Sequence, residues 1–352
     1  MNMIELHILQ SFPVTCLNRD DLGAPKSAVF GGVQRARVSS QCWKRAIREL
    51  AADGAPASMR GLFMAEKLAE KLVALGVDAV QAKTAAATVI DSVAGTDKKN
   101  KKDEHKSSVA LFLSDGELGA IAAAIKVQLS DSKKLDLKKG DLSKAVKAAF
   151  VKDAADIAIF GRMVADDHTL TVEGAGLFSH ALSTHPVSNE LDFFSAVDDT
   201  KLDADDAGAG HIGSLEFNSA CYYRYVGINL GLLQDKDHLS HFTSEETKAV
   251  LATFVRAAVL AVPNARKNSM FGFNPPAYVL GLRRSGQPIS LVNAFEKPVT
   301  ADGQGYAKPS ETALKSHWAS LKALYSLKAE AESELPPDNL DALIGKLLEN
   351  LA

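Results

Sequence analysis

The chain has 352 residues, 46% of them hydrophobic and 24% charged, and its formal net charge at pH 7 is −3. These values are typical of a globular protein with a large core, and they exclude a protein that coats nucleic acid through its overall charge. Three scattered cysteines argue against a disulfide framework, and the lack of a signal pattern or a membrane-length apolar run predicts a cytoplasmic protein without membrane contact.

The N-terminal residues predict a short α+β module. Apolar and polar residues alternate over residues 3–9, which predicts a strand, and residues 12–24 are expected to form a loop. The pair Gly31-Gly32 can adopt backbone angles that other residues avoid. A second short strand is predicted directly after it, over residues 33–38.

The helix that follows has two different faces, and either Ser39 or Ser40 is suited to cap its N-terminus. At about 100° per residue, one face is apolar and consists of Trp43, Ala46, Ile47 and Leu50. The opposite face is a basic stripe of Gln41, Lys44, Arg45 and Arg48. With Arg35, Arg37, the cap hydroxyls and the free N–H groups of the helix N-terminus, this stripe is suited to bind a run of phosphates.

Three interpretations of the basic stripe are open: a solvated helix face, a site for an acidic protein partner, and a site for a nucleic-acid backbone. Residues 1–48 contain seven Lys or Arg and three Asp or Glu, in a chain that is acidic overall. Few carboxylates are therefore close in sequence to pair with these cations, which favours nucleic acid. The neighbouring pair Asp20-Asp21 adds another alternative, a metal-dependent ribonuclease in which these carboxylates hold Mg²⁺.

The middle of the chain is predicted to be mainly helical. Its expected elements are helices over residues 57–75, 77–93, 116–129 and 142–150 and a buried strand over 109–113. The charged segments 95–106 and 133–140 are expected to be breaks between these elements. Residues 51–150 are therefore interpreted as an insertion between the N-terminal module and the strands that follow.

The second half of the chain is predicted to return to strands and to end in helices. Strands are expected over residues 155–163, 176–184, 215–230, 277–283 and 290–294. Helices are expected over 244–262, with Ser244 as its cap, 311–327 and 339–351. Residues 187–213 differ from their surroundings because they contain seven Asp or Glu and one Lys, and the segment is too long for a hairpin loop.

Motifs along most of the chain occur in a recognisable order. Near the N-terminus they are CLNRDD, FGG, R-x-R-V-SSQ and KRA-x-R, and further along they are DIAIFGRM, STHPV, FFSAVDD, HIGSLEFNSACYYRY, VPNARKNS, FNPPA and NAFEKP. In this ordered set the chain closely resembles the CasC family, the backbone subunit of the type I-E CRISPR Cascade interference complex. The helical insertion and the C-terminal tail match the family least.

The resemblance implies an α+β fold with three parts. These are an RRM-like (ferredoxin-like) palm over residues 1–50 and 151–352, a helical fingers insertion over 51–150, and a thumb loop within the palm over 187–213. The resemblance also implies a subunit without catalytic activity, cofactor or metal. Several copies polymerise along the guide, each thumb displaces a guide nucleotide at regular intervals, and the guide pairs with target DNA in antiviral defence.

The partners implied by the resemblance are CRISPR RNA, target DNA, further copies of the chain, and the large, small, guide-end-capping and guide-processing subunits of Cascade. A helicase-nuclease is expected to be recruited to destroy the target. Related subunits of RNA-targeting complexes use an aspartate in a similar early loop to cut RNA. A ribonuclease that uses Asp20 or Asp21 therefore remains the alternative function.

The family's RNA contacts carry over to matching positions of this sequence. They fall on Arg19, Lys26, Ser39, Gln41, Lys44, Arg45, Arg48 and Met163, with Arg266 and Lys267 as further candidates. The thumb wedge falls on Phe194 and Ile212, and no specific contact is assigned to Phe193, where the family has a different aromatic residue. Because the thumb segment is acidic and repels phosphate, we expect it to act sterically, with apolar groups that intrude at a base step.

Overall fold

The structure, a computed structural model, describes residues 1–53, 57–95, 106–131, 135, 140–164, 167–196, 211–303 and 305–351. The chain divides into two compact units, each assembled from segments that are distant in sequence. The first unit consists of Met1–Leu50, Leu177–Gly227 and Ala252–Asn350, and the second contains Ala51–Gly176 and Ile228–Leu251. None of the helices in the described ranges has the length and apolar character that crossing a membrane requires.

The strands in chain order are β1 (Asn2–Thr15), β2 (Ser27–Phe30), β3 (Val33–Val38), β4 (Met59–Gly61), β5 (Leu111–Leu113), β6 (Gly176–Phe178), β7 (Ala181–Ser183), β8 (Glu190–Ala196), β9 (His211–Asn229), β10 (Tyr278–Ser285) and β11 (Ala331–Leu335). The helices are α1 (Ser40–Ala52), α2 (Met64–Ala74), α3 (Ala79–Ala94), α4 (Asp115–Asp131), α5 (Asp141–Ala148), α6 (Ala155–Phe160), α7 (Leu230–Leu233), α8 (Ser244–Leu260), α9 (Ala307–Tyr325) and α10 (Leu340–Leu348).

The first unit is built on one large antiparallel sheet. Its main path runs in the order β11-β10-β1-β9-β7-β3-β2, and β6 and β8 also pair with β9. Neighbouring strands come from opposite ends of the chain: in β1 and β10, Asn2 lies opposite Ser285 and Leu9 lies opposite Tyr278. The predicted α+β class is confirmed, because this sheet combines with helices in one chain.

Strand β1 is buried on both faces, so its polar residues are enclosed as well as its apolar ones. Glu5, His7 and Gln10 are all at most 1% exposed. The strand also continues to Thr15, and the prediction of a loop from residue 12 is therefore wrong over its first residues. The alternation that indicated the strand was correct, but the neighbouring strands and helices that cover its second face come from distant sequence.

A tight hairpin links β2 to β3, and the two glycines form its turn. Phe30 pairs with Val33, and Gly31 and Gly32 have φ values of +60° and +77°. A Cβ atom on Gly31 would lie 1.8 Å from the carbonyl oxygen of Glu296, so this position also needs glycine because of close packing. Strand β2 was not predicted, because its short sequence becomes a strand only by pairing with β3.

The second unit has a helical core in which alanines allow close approach. Its buried residues include Ala65, Leu68, Ala82, Ala86 and Ile121 from helices α2 to α4. The side chain of Glu117 accepts a hydrogen bond from the amide of Ser114, whose hydroxyl accepts one from the amide of Glu117, so the pair caps α4. The guanidinium of Arg162 contacts the same carboxylate at 2.8 Å inside the core.

Several predicted elements differ in the structure. The helix predicted from residue 57 begins only at Met64, because residues 59–61 form β4 and pair with β5. Residues 155–160 form helix α6 where a strand was predicted, and Gly161, with φ +78°, ends this helix. The buried residues of α6 are consecutive: Ile157, Ala158 and Ile159. Such a short apolar run fits a buried strand as well as a turn of buried helix, so the sequence pattern could not distinguish the two.

Further corrections concern the first unit and the cap of α8. The strand predicted over 176–184 is two short strands, β6 and β7, and the one predicted over 290–294 is a 3₁₀ turn at Val292–Phe295. Strand β11 was not predicted. Thr243 caps α8 in place of Ser244, because its hydroxyl accepts from the amide of Glu246 while that glutamate accepts from the amide of Thr243.

The ends of the acidic segment form a two-stranded ribbon. Strand β8 pairs with β9 in antiparallel register, from Glu190 opposite Phe217 to Ala196 opposite His211. The same strand β9 therefore pairs with β7 at Tyr222 and Tyr223 and with β8 over its first residues, 211–217. Residues 197–210, including Asp198 and Asp199, lie outside the described residues.

Candidate nucleic-acid interface

The N-terminus of α1 is tied to the loop that precedes β2. The hydroxyl of Ser39 accepts a hydrogen bond from the amide of Cys42 at 3.3 Å, so Ser39, one of the two predicted candidates, is the cap. The amide of Ser39 in turn donates to the Oδ1 atom of Asn18 at 2.9 Å. Asn18, in the motif CLNRDD, therefore positions the start of the helix. The sequence offered no signal for this role beyond the motif itself.

The two faces of α1 differ in burial largely as predicted. Trp43, Ala46 and Ile47 are at most 6% exposed, which confirms them as core residues. Leu50 is 38% exposed, and its predicted place in the core is wrong, since it lies near the end of the helix where no element covers it among the described residues. The ring of Trp43 packs between Phe12, with centroids 6.4 Å apart, and Arg224.

The residues of the basic stripe lie in different surroundings. Gln41 and Arg45 are exposed, and the Nε of Arg45 donates to Glu49 at 2.7 Å. Lys44 is half-buried, with its ammonium 5.0 Å from the ring centroid of Phe178, and burial lowers its pKa. Arg48 is also half-buried. The stripe is therefore one exposed arginine flanked by partly covered cations.

An open groove of about 630 Å³ runs beside α1, and Arg45 of the basic stripe lines it. Its lining consists of Leu17, Asn18, Arg19, Asp20, Asp21, Gly23, Cys42, Arg45, Ala46, Glu49, Pro263, Asn264 and Ala265. It brings together Arg19 and Arg45, which were predicted from separate motifs. The segment 263–265 was not predicted to line it, because only the tertiary fold brings this part of the chain to α1.

Arg266 joins the groove from the same distant segment. Its Nη2 atom donates to the carbonyl of Gly23 at 3.4 Å, and its buried Nη1 atom has no hydrogen-bond partner in the described part of the chain. The residue has a φ of +51°, an unusual angle for a side chain other than glycine. Lys267, the next residue, is exposed. Both candidates of the VPNARKNS motif therefore lie at or next to the groove.

Lys26 directly precedes β2 and is half-buried. Its amide donates to the carbonyl of Asn18 at 2.9 Å, and its own carbonyl accepts from the amide of Arg37 at 2.9 Å. Burial lowers the pKa of His180, and the charges of Arg37 and Lys26 lower it further. These cations therefore form a second positive cluster on the hairpin side of the loop.

Arg35 does not belong to this surface, and its predicted place there is wrong. It is fully buried, and its guanidinium donates to the carbonyls of Phe30, Ser183 and Phe295 at 3.1, 3.0 and 2.8 Å. These three carbonyls come from separate segments of the first unit. The side chain therefore joins the hairpin to its neighbours, and its donors are used inside the protein.

The acidic pair in the loop has a structural role at Asp20. One carboxylate oxygen of Asp20 accepts hydrogen bonds from the amides of Leu22 and Ala24, each at 2.9 Å, so the side chain closes the turn. Asp21 is exposed. In the described ranges, no group of three or more His, Cys, Asp or Glu side chains is arranged to hold a metal ion.

The ribbon of β8 and β9 carries the predicted wedge. Phe194 is 36% exposed, and a Cβ atom on Gly213 would lie 2.5 Å from the tip of its ring, so the ring lies across that glycine. Phe193 is 70% exposed. The backbone of Ile212 pairs with Ser195, but its side chain lies outside the described residues.

Asn189 anchors the base of this ribbon. Its side-chain amide donates to Glu216 at 2.9 Å and to the carbonyl of Pro25 at 3.4 Å, and its oxygen accepts from Asn218 at 3.2 Å. The ribbon is thereby connected to the loop that carries Arg19 and Lys26. Met163 belongs to the second unit, where it is 82% exposed.

Comparisons with known proteins agree on one class of molecule. The family model described as CT1975-like protein matches residues 4–341. A solved chain of a structure described as "CRISPR RNA-guided surveillance complex, pre-nicking" has a TM-score of 0.82 and 27% identity, and the match covers 98% of this chain and 100% of that one. A second, described as "CRISPR RNA-guided surveillance complex", has a TM-score of 0.68 and 26% identity, with 97% and 94% covered. No curated protein matches the sequence.

Proposed function

Because the chain belongs to the family of CT1975-like proteins and is a Cascade subunit of the CasC type, we propose that it is the CRISPR RNA-binding backbone subunit of a type I-E complex. Several copies polymerise along one guide RNA, with residues 1–50 and 151–352 as an RRM-like palm. The bound guide then pairs with target DNA. The observation that carries the proposal is the groove beside α1, which Arg19 and Arg45 line and whose residue Gly23 is contacted by Arg266, in a chain similar to surveillance-complex chains along nearly its whole length.

The groove is suited to the sugar-phosphate backbone of RNA. Guanidinium groups bind phosphate oxygens strongly, and the amides at the N-terminus of α1 add partial positive charge. Contacts to phosphates position a nucleic acid without depending on its sequence. A guide held in this way keeps its base edges available, so that one protein can serve any guide sequence.

The β8–β9 ribbon supports the proposed role of the thumb. Residues 187–213 carry seven Asp or Glu and one Lys, so the segment repels phosphates and its effect on RNA is steric. Phe194 and Ile212 intrude at a base step and displace one nucleotide, and unstacking a base costs a few kcal/mol that apolar contacts can offset. Further copies, the other Cascade subunits and a recruited helicase-nuclease complete the assembly.

The subunit itself is proposed to be non-catalytic. The oxygen of Asp20 that closes the loop is already bonded to two amides, which favours a structural role over metal binding. The test is to incubate the assembled complex with labelled complementary RNA and Mg²⁺. The RNA should stay intact, and cleavage that disappears in Asp21→Ala would establish the ribonuclease function.

The experiment that tests RNA binding is purification of the full chain with its partner subunits. Nucleic acid should co-purify, give a high ratio of absorbance at 260 to 280 nm, and be sensitive to ribonuclease. A complex that assembles equally well without any nucleic acid would instead show that the groove, where Arg19 and Arg45 lie among Asp20, Asp21 and Glu49, serves a protein surface.

The wedge is tested separately by chemical probing of the guide. Replacing Phe194 and Ile212 by Gly should leave the subunit folded and bound along the guide. The nucleotide under each thumb should then become less reactive to single-strand-specific reagents, at every interval alike. An unchanged probing pattern would remove these two residues from the displacement step.

A further inference from the structure

We propose that Phe271 and Phe273 form a stacking site for an unpaired nucleobase, in the stretch of chain that follows residues 263–265 of the proposed phosphate-binding groove. The inference rests on the proposed RNA-binding function and adds a contact to the bases. It is carried by the exposure of the two rings, by the packing of the glycine between them, and by the cations that precede them in the same loop.

The two phenyl rings are exposed while the residue between them is buried. Phe271 is 74% exposed and Phe273 is 51% exposed, whereas Gly272 is buried. This alternation places both rings on the outer side of the segment. In the described part of the chain, neither ring stacks on another aromatic ring or lies against a cation. Two large apolar side chains are therefore presented to solvent together.

The backbone below the rings is held in place. A Cβ atom on Gly272 would lie 2.2 Å from Cγ2 of the buried Thr15, so only glycine allows the segment to pack this closely on the end of β1. Two residues further on, the carbonyl of Asn274 accepts from the side chain of Gln10 at 2.6 Å. A fixed backbone lowers the entropy that the rings lose when they bind a ligand.

The same loop carries two cations that precede the rings in sequence. The amide of Met270 donates to the carbonyl of Arg266 at 2.8 Å, so one turn separates Arg266 from Phe271. Arg266 has a buried Nη1 atom without a partner among the described residues, and Lys267 is exposed. Positive charge beside aromatic rings is the combination that binds single-stranded nucleic acid, in which phosphates meet the cations and bases stack on the rings.

This combination favours a nucleobase over a second protein chain. A protein surface that covered the rings would also have to neutralise Arg266 and Lys267 with its own carboxylates, whereas one nucleotide supplies both the anion and the planar apolar surface. Every base has a π-face, so the site stacks on any base and adds affinity without selecting a sequence. The contact is therefore compatible with a subunit that serves every guide.

The test measures binding of the full chain to a fluorescent single-stranded RNA on the order of 10 nucleotides long, over a range of salt concentrations. The variant Phe271→Ala with Phe273→Ala should bind about ten-fold more weakly at every salt concentration. Stacking releases no counterions, so the slope of log K against log salt should stay that of the unmodified chain. Phe271→Tyr with Phe273→Tyr should restore the affinity.

A matched control is available at another exposed pair of the first unit. Leu324 and Tyr325 are 75% and 70% exposed, and Leu324→Ala with Tyr325→Ala should leave RNA binding unchanged. Quenching of a 2-aminopurine base in the RNA, lost in the double alanine variant, reports stacking directly.

Three other results would overturn the inference. If the double alanine variant binds RNA with the affinity of the unmodified chain, the rings do not stack on a base, while the proposed function stands. If it binds RNA normally but fails to associate with other copies, the rings form a protein contact. If the unmodified chain binds no RNA in the assay and none in the assembled complex, the proposed function itself fails, and the stacking site with it.

Discussion

Ionisable side chains occur in two contrasting regions of the first unit. In the interior of the sheet, Glu5, His7 and Arg224 are at most 1% exposed. In the groove beside α1, Arg19 and Arg45 face solvent. The same type of residue therefore has two roles, and its surroundings decide between them. Enclosed groups join segments of the fold, whereas exposed groups keep donors available for a ligand.

Arg224 shows how an enclosed cation is compensated. Its guanidinium donates to the side-chain oxygen of Gln10 at 3.0 Å and to the carbonyls of Ala258 and Val259, at the C-terminal end of α8. It also lies 4.3 Å from the ring centroid of Trp43. Burial lowers its pKa to about 9, so it stays charged at neutral pH. The carbonyls that end a helix carry partial negative charge, which suits them to this cation.

The largest effect is expected from Trp43→Ala, which opens the interior below α1. Truncating a buried Trp typically costs about 3–5 kcal/mol, and here the contact with Arg224 is lost as well. The free energy of unfolding, measured with denaturant, should fall by this amount. Leu50→Ala, on the exposed end of the same helix, is the control and should change it by less than about 1 kcal/mol. Equal effects of both substitutions would contradict the assigned burial.

A second effect of the interior should appear as a dependence of stability on pH. His7 is enclosed, and burial, reinforced by the charge of Arg284, lowers its pKa to about 3. Below a pH of about 6.5 the unfolded chain takes up a proton on this residue that the folded chain does not. The contribution of neutral His7 to the free energy of unfolding is therefore complete above about pH 6.5. It is lost as the pH falls below that value, at about 1.4 kcal/mol per pH unit.

The measurement is the free energy of unfolding from pH 7 to pH 4, for the unmodified chain and for His7→Gln. The free energy of unfolding of the variant should fall less steeply as the pH is lowered. Near pH 4, the slopes of the two curves should differ by the amount that corresponds to uptake of about one proton on unfolding. Parallel curves would show that His7 takes up the same proton in the folded chain as in the unfolded chain, and would contradict the effect of its burial.

A smaller effect, on binding and not on stability, is expected from the groove. Arg19→Ala with Arg45→Ala should weaken binding of single-stranded RNA roughly ten-fold at about 0.1 M salt, for every sequence alike. The slope of log K against log salt should shrink by about 0.7 for each lost phosphate contact. The melting temperature should hardly change, since an exposed pair such as Arg45 with Glu49 contributes about 0–1 kcal/mol.

Lys308→Ala is a matched control for the groove, because Lys308 is an exposed cation that pairs with Glu311 at 3.0 Å on α9. It should leave both the affinity and the salt slope unchanged. A loss of affinity that depended strongly on the RNA sequence would show that the two arginines contact bases and not phosphates.

The smallest effect is expected from Glu49→Gln, which removes a negative charge from the lining of the groove. The hydrogen bond with Glu49 and the negative charge of that residue raise the pKa of Arg45. The Nε donor of Arg45 is engaged by the Glu49 carboxylate. Without that charge, RNA should bind about two- to five-fold more tightly at low salt, and the gain should disappear as salt screens the site. Weaker binding would mean that Glu49 orients Arg45 for the ligand.

Local features of the sequence determined much of the region around α1. The spacing of Trp43, Ala46 and Ile47 was sufficient to predict the buried face of the helix, and the serine before it predicted the cap. Gly31-Gly32 predicted unusual backbone angles, and both glycines have positive φ, since such angles are a property of the residue type. These predictions succeeded because a helix face, a cap and a glycine's backbone angles each depend on residues within a few positions of one another.

Tertiary structure alone decided which arginines are available to a ligand. Arg35 and Arg37 have equivalent positions in the strand pattern, yet Arg35 is sealed by carbonyls of Ser183 and Phe295 that lie far away in sequence. Residues 263–265 line the groove only because the fold brings this distant part of the chain to α1. The short strands β2, β4 and β11 likewise form only by pairing with other strands. Burial and strand pairing depend on contacts between distant segments, and no local pattern encodes which segments will meet.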